Sequence, residues 1–167
     1  MVLVIYPGKA LRKKCYPVAS VGEAEKLIFD EMIVVMKQNN GIGLAAPQVG
    51  IPSRLIVAGL GEQVVKLANP KVVERSGSDV MEEGCLSLPG IRVSVKRPAE
   101  VTVTGYNENG EQVEIKSKGL PARVLQHEID HINGRLIIDY LPWWERVKHF
   151  IKTEIKVLKG KQRRYNE

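Results

Sequence analysis

The stretch Gln126-His127-Glu128-Ile129-Asp130-His131-Ile132-Asn133-Gly134 constrains this chain more than any other. Its His-Glu-x-x-His spacing acquires chemical meaning on a helix, where four residues advance about one turn and two side chains share one face. His127 and His131 then reach a single metal ion, and Glu128 stands where it can serve as general base to a water on that ion. The flanks favour a helix. Pro121 suits a first turn, where its missing N–H has no intrahelical partner, and Asn133-Gly134 supplies a stop. Leu120, Val124, Leu125, Ile129 and Ile132 spread around much of the circumference, so the helix is expected to be buried among other elements. Two histidines and a carboxylate buried there need partners, and a metal supplies them. A catalytic centre also requires a third protein ligand. Gly134 extends the pattern, but Ile137 stands where a third histidine would follow, which excludes the metzincin arrangement. Glu145 or Glu154 would serve in a thermolysin-like site, and Cys85 would serve as a thiolate.

With 167 residues the chain is long enough for one domain with a substantial core, taken here as residues 1–167. Its apolar and charged fractions are those of a soluble globular protein. The apolar start, Met1 to Pro7, is too short for a signal peptide and lacks a basic leader, and no segment has the roughly 18 apolar residues that span a bilayer. Cys15 and Cys85 do not make a disulfide framework, so a reducing, intracellular location is expected. Cys15 reads as a packed small hydrophobe. The net charge of +6 fits either a solvated basic surface or an acidic partner.

From Val21, apolar residues Ala24, Leu27, Ile28, Met32, Val35 and Met36 recur at helical spacing until Gln38-Asn39-Asn40-Gly41 ends the pattern. The following loop, Gly41 to Gly50, fits neither helix nor strand; Gln48 is its one hydrogen-bonding side chain, either a polar turn residue or a functional amide. Strands are expected at Arg54–Ala58, Val64–Leu67, Lys71–Arg75 and Ile91–Lys96, with breaks at Gly59-Leu60-Gly61 and Asn69-Pro70. Val101–Tyr106 and Gln112–Ile115 flank Asn107-Glu108-Asn109-Gly110, a hairpin signal. Between the strands lies Glu82 to Gly90, where Cys85 sits among small, loop-forming neighbours, as ligand or as inert buried thiol. A basic amphipathic helix closes the chain over residues 143–164, with Val147, Ile151, Ile155 and Leu158 in one stripe and Lys148, Lys152 and Lys156 in another. That face is either solvated or a docking surface for RNA or an acidic protein. The fold class is α+β: antiparallel β-sheets packed around a central metal-binding helix, with the amphipathic helix last.

Gly41-Ile42-Gly43-Leu44-Ala45-Ala46-Pro47-Gln48, Glu83-Gly84-Cys85-Leu86-Ser87 and Gln126-His127-Glu128-x-x-Asp130-His131 stand in this order along the chain. In that combination the sequence resembles peptide deformylase, over nearly its whole length and most nearly the type 1 branch of bacteria. Ile132, where the family usually has leucine, is a conservative departure. The resemblance implies a hydrolase that removes the N-formyl group from the N-terminal formylmethionine of nascent proteins, releasing formate. It makes Cys85, His127 and His131 the metal ligands, Glu128 the catalytic acid/base, and Gln48 with the Leu86 N–H the oxyanion-stabilising pair. The attacking species is then a metal-activated water. Gly43, Gly84 and Arg92 match positions that hold the peptide in an extended pose, and Leu120, Val124 and Ile42 those that line the methionine pocket. Asp130 is not needed as a ligand. Cys-His-His ligation alone suggests zinc; the resemblance implies ferrous iron, with zinc, nickel or cobalt as substitutes. It also implies a cytoplasmic enzyme whose partners are formylmethionyl peptides, with ribosome association through the basic helix, no membrane and no stable nucleic-acid complex.

Overall fold

The computed structural model describes residues 1–148. Beyond residue 148, the helix expected over 143–164 lies outside the described residues; 143–148 are helical. The fold is α+β. Among the described residues, seven strands form a five-stranded antiparallel sheet, ordered β1 (Gly43–Ala45), β2 (Leu55–Leu60), β3 (Gln63–Ser76), β6 (Glu100–Tyr106), β7 (Gln112–Lys118), and a two-stranded ribbon of β4 (Asp79–Gly84) with β5 (Arg92–Arg97). Two longer helices, α1 (Glu23–Gln38) and α2 (Gly119–Ile132), cover the large sheet. No helix among the described residues is long and apolar enough to cross a membrane.

The unbroken apolar run of β2 follows from this layering. Leu55 and Val57 pack with Phe29, Met32 and Met36 of α1, while Ile56 and Ala58 pack with Val124, Leu125, Ile129 and Ile132 of α2. A strand covered on both faces has no polar side to alternate with. Cys15 is buried in the α2 cluster, as a small hydrophobe should be. Along α1 the buried stripe is Phe29, Met32, Val35 and Met36; Leu27, expected inside, is exposed because Phe29 takes the inward position. The α1 terminus is a glycine–asparagine stop: Asn40 is left-handed at φ 54, and the Gly41 N–H reaches back to the Met36 carbonyl at 2.9 Å.

Two expected strands prove to be one. Asn69-Pro70 does not end β3 but makes a bulge in it, with the pairing to β6 shifting between Ala68 and Lys71. Asn69 takes φ 53, and its side-chain amide closes a pair of hydrogen bonds with the Val18 backbone, at 3.0 and 2.9 Å. Pro70 tolerates the position because a bulge leaves its missing N–H uncalled for. The sequence reading also missed β1, whose glycine-rich run is strand for only three residues, and β4, whose acidic composition argues against a strand. The hairpin at Asn107–Gly110 forms as expected, with Gly110 at φ 78 and Asn107 Oδ1 accepting from the N–H groups of Asn109 and Glu111.

Candidate metal centre

Helix α2 runs between the large sheet and the ribbon, and it ends where Asn133 and left-handed Gly134 predict. His127 and His131 stand one turn apart with their Nε2 atoms separated by 3.1 Å. Cys85, the first residue after β4, brings its sulfur to 3.3 Å from His131 Nε2. These three donor atoms all lie within 4.8 Å of one another. Bonds of about 2.0–2.3 Å in a tetrahedral shell put neighbouring N and S ligands about 3.3–3.6 Å apart, so the set fits one cation of the zinc or ferrous-iron size. Among the described residues it is Cys85, not Glu145, that joins the two histidines; Glu154 lies outside them.

Glu128 is buried at 4% exposure, and its Oε2 has no hydrogen-bond partner among the described residues. An orphaned carboxylate oxygen in such a place calls for a ligand or water. Burial raises the Glu128 carboxyl to about 7, against the opposing pull of His127 and Arg97. In the metal-free protein burial would lower His127, but the Cys85 sulfur and the Glu83 carboxylate outweigh it and raise the imidazolium to about 10. His131 goes the other way, well below the ordinary histidine value, through burial and the charge on His127.

Gln48 lies in the 3-10 turn Ala46–Val49. Its Oε1 accepts the Ala45 N–H at 2.8 Å, which turns Nε2 toward Cys85 Sγ at 3.5 Å and Ser87 Oγ at 3.3 Å. Its amide orientation is thus set by its partners, with the donor end toward the cluster. A cleft of about 510 Å³ opens over the cluster. Ile42, Gly43, Gly84, Leu86, Arg92, Leu120 and Val124, all expected around a substrate, line it together with Gln48, Cys85, His127 and Glu128. His131 stands behind the cleft wall at 1% exposure. Gly43 has a specific reason to be glycine: a Cβ there would overlap Glu128 Oε1 and sit 2.9 Å from Val124 Cγ1.

Glu83 carries the part of the site that the sequence reading did not assign. Its Oε2 accepts from His127 Nδ1 at 2.9 Å, so Nε2 faces the cluster. Arg97 grips the same carboxylate with a two-pronged contact, 2.6 Å from Nε to Oε1 and 3.0 Å from Nη2 to Oε2, and Arg123 adds a third donor group at 2.7 Å. Burial alone would raise Glu83; the hydrogen bonds from His127 and Arg97 prevail and lower it to about 2. Asp130 joins Arg97 at 2.7 Å and stays off the cluster, as expected of a residue not needed as a ligand. Arg97 had a signal in the sequence: Val93, Val95 and Arg97 share the buried face of β5 by simple alternation. Glu83 had none until β4 was known to be a strand, since only its register opposite Val93 turns it inward.

The polypeptide deformylase family profile matches residues 1–147. The chain is 47% identical over 131 residues to a peptide deformylase of Halothermothrix orenii, covering 77% of this chain and 85% of that one. Its fold matches the crystal structure of a peptide deformylase from Legionella pneumophila with a TM-score of 0.87, at 36% identity and 95% and 96% coverage of the two chains. The match to peptide deformylase from Ehrlichia chaffeensis in complex with actinonin has a TM-score of 0.88, at 35% identity and 93% and 96% coverage. With family, relatives and fold agreeing on the chain that carries this cluster, the protein belongs to the polypeptide deformylase family.

Proposed function

We propose that the chain hydrolyses the formyl amide of N-formylmethionyl nascent peptides, with Cys85, His127 and His131 holding one ferrous ion and zinc, nickel or cobalt able to replace it. The observation that carries this reading is the convergence of the three donor atoms, the orphaned carboxylate of Glu128 and the donor end of Gln48 in one cleft. A bound divalent ion supplies Lewis acidity, which brings the pKa of water toward neutrality and polarises a carbonyl.

The remaining work belongs to the side chains. Glu128, with a carboxyl raised to about 7 in the metal-free protein, is suited to taking a proton from water and returning it to the leaving methionine amine. As the formyl carbon is attacked, charge builds on its oxygen; Gln48 Nε2 and the Leu86 N–H offset it, a contact worth roughly 3–4 kcal/mol per donor. Glu83 holds His127 in the tautomer that presents Nε2. Substrate enters extended: among the described residues β1 pairs only with β2 and so has a free edge beside the cleft, where Ile42 and Gly43 line one part of the opening and Gly84 and Arg92 another. The methionine side chain is received by Leu120, Val124 and Ile42. The basic segment after Trp144 docks the enzyme at the ribosome in the cytoplasm, where such chains emerge.

The test is formate release from formyl-Met-Ala-Ser by protein loaded anaerobically with ferrous iron, with acetyl-Met-Ala-Ser and an internally blocked peptide alongside. Formate from the first and no cleavage of the others is expected. Cleavage of an internal peptide bond without formate release would replace this reading with a peptidase.

A further inference from the structure

Tyr140 ends the 3-10 turn Ile137–Tyr140 and does not line the cleft. Its hydroxyl donates to Asp130 Oδ2 at 2.8 Å and accepts from Arg97 Nη1 at 3.1 Å. Arg97 Nη1 has two N–H bonds, and the other goes to Asp130 Oδ2 at 2.7 Å, closing a three-membered ring of hydrogen bonds. The opposite edge of the same guanidinium holds Glu83, whose carboxylate already receives four donor contacts: two from Arg97, one from Arg123 and one from His127. A carboxylate offers about four acceptor positions, so Glu83 has no spare one with which to absorb a shift of Arg97. A slide of the guanidinium toward Asp130 would pull on the carboxylate that also holds the imidazole of His127.

We propose that Tyr140 is a positioning residue for the metal centre: its hydroxyl fixes Arg97 between Asp130 and Glu83, and so sets the angle at which His127 presents Nε2. The inference rests on the metal-centre reading above. The hydroxyl is separable from the ring, which the guanidinium groups of Arg97 and Arg135 approach to 5.0 and 5.1 Å from its centroid. Tyr140→Phe keeps both ring contacts and removes only the oxygen.

The experiment titrates the metal-free full-length chain with Co²⁺ against a competing chelator and records the visible d–d spectrum, for wild type, Tyr140→Phe and Arg135→Gln. Expected for Tyr140→Phe are shifted d–d bands and a Co²⁺ affinity about tenfold weaker, the effect typical of groups that orient a ligand. KM for a formyl peptide should stay at the wild-type value, because Tyr140 lies off the cleft. Arg135→Gln loosens the ring but keeps the hydroxyl, and its spectrum should match wild type. An unshifted Tyr140→Phe spectrum overturns the proposal even if binding weakens, since that result is one of stability alone. An equal shift in Arg135→Gln overturns it too. A wild type that takes up no Co²⁺ refutes the metal-centre reading itself, and the two failures are thereby distinguished.

Discussion

Replacing Gly43 by alanine should disable the site with little harm to the fold. The backbone there is ordinary β-strand, so alanine meets no dihedral penalty, and the whole effect comes from space. The added Cβ would overlap Glu128 Oε1 and lie 2.9 Å from Glu128 Cδ and from Val124 Cγ1. Ordinary van der Waals contact begins near 3.4 Å, so the carboxylate must move by about 1 Å. The carboxylate is the far end of a flexible side chain, so it gives way while the strand and the helix stay in place. A displacement of that size in a reacting group costs about 10²-fold in rate, or about 3 kcal/mol of barrier. The assay is kcat for formate release by iron-loaded Gly43→Ala, with metal content measured on the same sample. A hundredfold lower kcat at full metal occupancy is expected, because the atoms nearest the new methyl group belong to Glu128 and Val124 and not to the three donors. Wild-type kcat at full occupancy would refute the claim that Glu128 must stand where this glycine permits.

Metal uptake should expel a proton, since His127 is held protonated to about pH 10 in the metal-free protein. Affinity should therefore fall as pH is lowered, and calorimetry in buffers of different ionisation enthalpy should reveal the release; pH-independent uptake with no buffer dependence contradicts it. Glu83 gives an acid limit. Its folded pKa of about 2 lies below the unfolded value near 4.5, so its contribution is complete above pH 4.5 and disappears as pH falls toward 2. Denaturant unfolding of the metal-free chain should show up to about 3 kcal/mol lost across that window, and a flat profile there would rule out the charge network as the cause. Asn69→Ala should lower stability by about 2–3 kcal/mol, through two lost hydrogen bonds and a left-handed residue that alanine tolerates poorly; a chemical-denaturation midpoint shifted by less than a third of that would show that the bulge does not depend on the amide.

Much of the candidate site is legible in the sequence because its central group is local. His127, Glu128 and His131 are fixed by helical spacing, and the stop at Asn133-Gly134 follows from backbone preferences of those two residues alone. Cys85 and Gln48 were different. Each is ambiguous in the sequence, because a lone thiol or amide gains its meaning from what the tertiary fold sets beside it. Here that is His131 for Cys85 and the Ala45 N–H for Gln48. What stayed hidden is the support behind the cluster. Glu83 faces inward only through the pairing of β4 with β5, and an acidic strand of six residues carries no apolar alternation to announce itself. Asn69-Pro70 misled for a related reason: the dipeptide favours a break, but the Val18 backbone, 51 residues away, stabilises a bulge instead.

The central claim is that one acidic side chain does the proton transfer while three others hold the metal. Metal content and formate release, measured together on iron-loaded Glu128→Gln and on Cys85→Ser, test it most directly. Glu128→Gln should retain one metal per chain and release no formate above background, whereas Cys85→Ser should lose both. Full activity in Glu128→Gln, or a Cys85→Ser protein that keeps its metal while a Glu145 substitution loses it, would contradict the account.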